Sequence, residues 1–261
     1  MDTVIVPVDF SDTSLNATRY AAKLLEGHDG VEMILYHTYE KDSEEYGCIG
    51  DLERLKADLS TSSSVNITML AEKGDDFIQE LEKLSRHRHA DLVIMGITGR
   101  SPLAQRFMGS NTLKAAANKF VPILIIPPNC NYKEVKNVLL TTDLKNVVST
   151  IPSAPIKKVL KTFHPNLHVV NVNEEYYIAL TEDHDAEKRK IEEMFEGFNP
   201  EFYFLRLFDI DAAINQFAED KNIDLIINVH KDHSLLHKLF INSHTKNLAY
   251  QSRVPVLVVH E

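Results

Sequence analysis

Short, continuous apolar runs recur along the chain, separated by stretches with helical spacing. The runs are Val4-Ile5-Val6, Met33-Ile34-Leu35-Tyr36, Val65 to Met69, Leu92-Val93-Ile94-Met95 and Ile123-Leu124-Ile125-Ile126. Between them, Phe77, Ile78, Leu81 and Leu84 fall on one face of a helix. β-Branched runs without polar alternation, joined by helices, predict buried parallel strands and βαβ crossovers.

The pattern then repeats. Val138-Leu139-Leu140 resembles the opening strand, and Asp143 follows it as Asp9 follows the first, 134 residues earlier. Leu167 to Val172 matches Met33 to Thr38 at the same offset, and Asp224 to Ile227 matches Asp91 to Ile94 at 133. Val254-Pro255 to Val259 matches Val121-Pro122 to Ile126, again at 133. A nearly constant offset over four strands predicts internal duplication. The joint is expected in the turn-rich stretch Pro127-Pro128-Asn129-Cys130-Asn131, giving two α/β domains, 1–130 and 131–261. Each is expected to be a doubly wound, Rossmann-like parallel sheet. In such sheets ligands bind beyond the carboxyl ends of the strands, where the strand order reverses. The residues just after strands one, two and four are therefore the places to search.

Composition narrows the setting. The chain has 261 residues, 44% hydrophobic and 25% charged, as ordinary globular proteins have. A formal net charge of −10 argues against a nucleic-acid partner. Two cysteines, Cys48 and Cys130, make no disulfide framework or metal-ligand spacing. With no secretory-type opening and no apolar run of about 20 residues, the expectation is a cytoplasmic protein with no membrane partner.

After the fourth strand stand Met95, Gly96 and Gly99-Arg100, and ten positions beyond Gly99 come Gly109-Ser110-Asn111. Glycines let backbone approach a ligand without an intervening Cβ, and consecutive N–H groups in such a turn form an anion-binding concavity. Ser110-Asn111 would open a helix from Thr112 to Phe120, whose N-terminus favours negative charge, and Arg100 adds a cation. The pattern suits a polyphosphate. Asp9 either receives hydrogen bonds from a base or sugar or serves as a turn residue, with the next helix beginning near Ser11 or Asp12.

With these motifs in place, Val4 to Ser11, Tyr36-His37-Thr38 and the Gly96, Gly99, Gly109-Ser110-Asn111 series resemble the universal stress protein family over essentially the whole chain. The resemblance implies adenine near Pro7, Val8, Asp9 and Thr38, with ribose and phosphates on Gly96, Gly99, Arg100, Gly109, Ser110 and Asn111, and Met95 among the cofactor-binding residues. The ligand would be ATP, ADP or AMP, with Mg2+ held through its phosphates. The family also implies dimers joined through the last strand. Here Ile123–Ile126 and Val256–Val259 would pair within one chain as a pseudo-dimer, with a homodimer as a further option.

In the second copy, Val229 replaces Gly96, Asp232 replaces Gly99 and Asn242 replaces Gly109, while Asp143 and Ser243 persist. Of 9 glycines only Gly197 follows the joint. A carboxylate at 232 repels phosphate, so this half is expected not to bind ATP. His230, His233, His237 and His244 either sit exposed on a loop or gather on a metal, and Leu235, Leu236, Leu239 and Phe240 form a packing face. Glu182 to Glu196 reads as a solvated helix, Asp42 to Glu45 as a loop and Ser60 to Ser64 as a polar turn. The function expected is a nucleotide-binding stress-response sensor or scaffold, not an enzyme, with nucleotide in the first domain. The alternatives are a slow ATP hydrolase and a structural assembly module whose second domain binds a metal or ligand. A related α-hydrolase would carry a glycine-rich S-G-G-x-D-S-like loop after strand one, where this chain reads Asp9 to Ser14 without glycine.

Overall fold

The computed structural model describes residues 1–97, 109–128, 130–172, 182–205, 210–230 and 252–261. The chain divides into two compact units, Met1–Tyr132 and Lys133–Glu261.

In the first unit the strands are β1 (Thr3–Pro7), β2 (Glu32–Tyr39), β3 (Asn66–Lys73), β4 (Leu92–Gly96) and β5 (Ile123–Ile126). They pair in parallel in the order β3-β2-β1-β4-β5. The chain thus winds outward from β1 through β2 to β3, then crosses back to β4. Right-handed crossovers place the connections on opposite faces either side of that reversal, which is the doubly wound α/β arrangement the sequence predicted. Every residue of β4 and β5 is buried, whereas β3 is mostly half-exposed. That is why the central runs lack polar alternation. Tyr36, Ile5, Met33, Ile34 and Leu35 fill the core around the sheet.

The helices are α1 (Asp12–Leu24), α2 (Glu45–Ser60), α3 (Phe77–His87) and α4 (Gly109–Ala117). Ser11 caps α1, its side chain accepting from the Ser14 N–H. Asp42–Glu44, expected as part of a loop, instead forms a 3₁₀ turn running into α2 at Glu45. Glu44 draws the chain round by accepting from the N–H groups of Glu40 and Lys41, both at 3.2 Å.

The second unit repeats the plan with β6 (Asn137–Thr142), β7 (Asn166–Val172), β8 (Glu201–Leu205), β9 (Leu225–His230) and β10 (Val256–His260). Its own strand order is β8-β7-β6-β9-β10, again all parallel. The duplication extends to the turns. The Asp91 carboxylate accepts from the N–H groups of Asp2 and Thr3, and the Asp224 carboxylate from those of Lys136 and Asn137. Phe10 and Leu144, 134 residues apart, both take positive φ, at 61° and 52°.

Among the described residues, the symmetry is broken at the helix after the first strand. Where the first unit has the continuous α1, the second has a single turn, α5 (Val147–Thr150), then α6 (Ser153–Phe163). Pro152 accounts for the interruption, because its ring disfavours the helical conformation of the residue before it, and Ile151 is extended at φ −98°, ψ 112°. The described residues of this unit also form α7 (Glu182–Met194) and α8 (Ile210–Asp220). The acidic α7 carries Lys188–Glu192 and Lys190–Glu187 ion pairs, but is anchored by buried Ile191, and Glu187 accepts from the Val147 N–H at 2.7 Å. A carboxylate from another helix thus caps α5.

Candidate functional site

A cleft of about 610 Å³ opens at the carboxyl ends of the first unit's strands. That volume lies within the roughly 300–1,000 Å³ range of small-molecule pockets. Pro7, Val8 and Asp9 reach it from the end of β1, Thr38 from β2, Met95 and Gly96 from β4, and Asn111 from α4. These residues of the expected site are brought together. Gly109 and Ser110 form the first turn of α4 by their backbone, so this helix begins three residues before the predicted Thr112 and ends at Ala117. Gly99 and Arg100 lie outside the described residues.

The local chemistry explains several of these positions. Gly96 is needed for packing: a Cβ there would lie 2.3 Å from the Thr13 carbonyl oxygen, in the first turn of α1. No real side chain tolerates that distance, so glycine at 96 lets α1 start directly against the tip of β4. The Gly96 carbonyl in turn accepts from the buried Thr112 hydroxyl at 2.7 Å, which ties α4 to the same strand tip. Asp9 serves the turn after β1: its Oδ1 accepts from the Ser11 N–H at 3.1 Å and the Ser11 hydroxyl at 2.7 Å. In the second unit the Asp143 Oδ1 accepts from the Lys145 N–H, also at 3.1 Å. The same turn at both positions identifies the carboxylate as a structural one that also borders the cleft.

His37 Nδ1 lies 2.7 Å from the Val8 carbonyl oxygen and donates to it, which in a neutral ring leaves Nε2 as acceptor. Its ring packs against Phe10 at 5.2 Å between centroids. Behind the cleft, the buried Tyr36 hydroxyl donates to Glu72 at 3.2 Å. Burial, then the Glu72 charge, pushes the Tyr36 phenol well above its ordinary value.

The sequence reading missed the wall formed by Glu40, Gly74, Asp75, Asp76, Phe77 and Ile78. β2 and β3 stay in register to Tyr39 and Lys73, and the Gly74 N–H donates to the Tyr39 carbonyl at 3.0 Å. The chain after β3 therefore joins the cleft, and the carboxyl-end rule applied to that strand would have found it. Lys114 was missed too, although it lies three residues beyond Asn111 on the same face of α4.

In the second unit the equivalent strand tips are polar. Pro7, Val8, Met95 and Ile97 are matched by Thr141, Thr142, Asn228 and His230, all buried. The Thr141 hydroxyl lies 3.2 Å from Asn228 Oδ1 and 3.3 Å from the Ile227 carbonyl, and Asn171 donates to the Thr142 carbonyl at 3.2 Å. His230 pairs in register with His260, with ring centroids 5.2 Å apart. His233, His237, His244, Asp232, Asn242, Ser243 and the Leu235 to Phe240 apolar group lie outside the described residues. Among the described residues no group of three or more His, Cys, Asp or Glu is placed to hold a metal, and no helix is long and apolar enough to cross a membrane.

The universal stress protein family model matches residues 1–127 and 163–260. The unmatched stretch between them holds β6 and the interrupted helix. A universal stress protein from Archaeoglobus fulgidus has a similar structure, at 19% identity and TM-score 0.72, covering 99% of this chain and 96% of that one. A Pseudomonas aeruginosa protein assigned provisionally to the same family matches at 13% identity and TM-score 0.66, covering 100% and 93%. No curated protein sequence matches significantly.

Proposed function

The chain belongs to the universal stress protein family, and on that premise we propose that it is an adenine-nucleotide-binding stress-response protein, a sensor or scaffold that holds its nucleotide in the first unit only. The observation that carries this reading is the contrast at the strand tips. The first unit has a cleft of about 610 Å³ beside α4, and the second has tips hydrogen-bonded to one another.

The residues present fit a nucleotide. Pro7, Val8 and Met95 offer apolar surface to a base, with Asp9 and Thr38 at its edge. Gly96, Gly99, Arg100, Gly109, Ser110 and Asn111 would hold ribose and phosphates, and an anion at the start of α4 would be favoured by the helix dipole. A bound Mg2+ would neutralise part of the phosphate charge.

The protein is read as a binder, not as a dedicated enzyme. Of the four carboxylates that line the cleft among the described residues, Asp9 is committed to its turn, and Asp76 caps α3 by accepting from the Ile78 and Gln79 N–H groups. Nucleotide occupancy is the signal, and the surface around the start of α4 is what a partner reads. The test is to denature purified protein, identify nucleotide in the supernatant, and follow added ATP. Released adenine nucleotide without multiple-turnover hydrolysis supports the reading. Sustained production of ADP would make the protein a hydrolase, and no released nucleotide together with no uptake of ATP, ADP or AMP would overturn it.

A further inference from the structure

The cleft is unevenly charged. Glu40, Asp75 and Asp76 stand on the side formed by the ends of β2 and β3, with Asp9 at the end of β1. Across from them α4 presents Asn111 and then Lys114. Lys114 is exposed, and its ammonium makes no ion pair with any described carboxylate. Neighbouring cations on the acidic side are paired: Lys73 with Asp42 at 2.7 Å and Lys83 with Glu80 at 2.8 Å. Helical side chains lean toward the N-terminus, so the Lys114 stem lies over the turn that holds Asn111. Its Cα is about 7.5 Å along the axis from that of Gly109, at the helical rise of 1.5 Å per residue. In a protein of net charge −10, a polyanion has few places to rest, and the carboxylate side repels it.

We propose that Lys114 is a specificity-determining residue of this cleft: it contacts the distal phosphates and sets a preference for nucleoside tri- and diphosphates over the monophosphate and the nucleoside. The proposal rests on the reading of the cleft as a nucleotide site and adds its ligand class. The carboxylate side takes the uncharged end of the ligand, and the anionic tail runs along the α4 side. The bland alternative is a solvated surface lysine, which would discriminate among no ligands.

The experiment titrates the full chain, as wild type, Lys114→Gln and Lys114→Arg, with adenosine, AMP, ADP and ATP. Glutamine keeps the helix propensity and the length of the stem, and thermal melting checks that the fold is intact. Loss of one charge-assisted phosphate contact predicts that Lys114→Gln weakens ATP roughly tenfold, ADP less, and AMP and adenosine by less than about twofold. Lys114→Arg keeps ATP within about threefold of wild type, because the charge remains. Equal weakening of all four ligands, or of none, overturns the role of Lys114 while leaving the nucleotide site standing. Failure of the wild type to bind any of the four removes the site itself, and this inference with it.

Discussion

The two units share a plan down to individual turns and differ at the strand tips. Asp9 and Asp143 make the same turn, Asp91 and Asp224 tie down the same strand start, and His37 and Asn171 both donate to a carbonyl at the carboxyl end of their unit's first strand. These groups support the fold wherever it occurs, so their persistence says nothing about ligand. The informative differences are Gly96 against Val229, Met95 against Asn228 and Pro7 against Thr141. With glycine at 96, a continuous α1 starts against the tip of β4. In the second unit, where valine stands at 229, the helix after β6 is a single turn that restarts after Pro152.

The largest effect is expected from giving the first unit the second unit's residue. Gly96→Val forces a Cβ into the Thr13 carbonyl. Overpacking of this sort costs about 1–3 kcal/mol. The urea midpoint of the first unit should fall and nucleotide binding should vanish with it; an unchanged midpoint would refute the packing role of Gly96. Next, Thr141→Val removes the hydroxyl beside Asn228 at nearly constant volume. Leaving a buried polar group with one partner fewer costs about 1–2 kcal/mol, read from the second unit's unfolding, and the first unit should be unaffected.

Capping gives a smaller, symmetric pair. Ser11→Ala should destabilise the first unit, and Glu187→Ala the second, by about 1 kcal/mol each. If Glu187→Ala has no effect, α5 does not depend on α7 for its cap. The smallest effect concerns pH. Burial lowers the His168 pKa below 6.5, against the opposing pull of Glu201. The unfolded chain then takes up the proton first, so this contribution to stability is present above pH 6.5 and declines as the pH falls through it. His168→Gln should flatten that part of the second unit's stability profile, and an identical slope in wild type and variant would exclude His168 as its source.

The doubly wound α/β fold was legible because buried parallel strands leave uninterrupted β-branched runs, and the duplication because strand spacing survives substitution. The start of α1 was legible from Ser11-Asp12. The interrupted helix was not extracted, although Ile151-Pro152-Ser153-Ala154-Pro155 carried the signal. The acidic wall at Glu40, Asp75 and Asp76 escaped because it depends on the register of β2 with β3, a three-dimensional fact with no local signature. The role of Gly96 as a packing residue escaped for the same reason: its neighbour, Thr13, is remote in sequence.

The central claim is that one unit binds nucleotide and the other does not, and the number of adenine nucleotides bound per chain tests it most directly. Calorimetric titration of the full-length protein with ATP should give a single site, abolished by Gly109→Val and unaltered by Asn242→Val. Two equivalent sites per chain, or a site lost through the change at 242 and kept through the change at 109, would contradict the account.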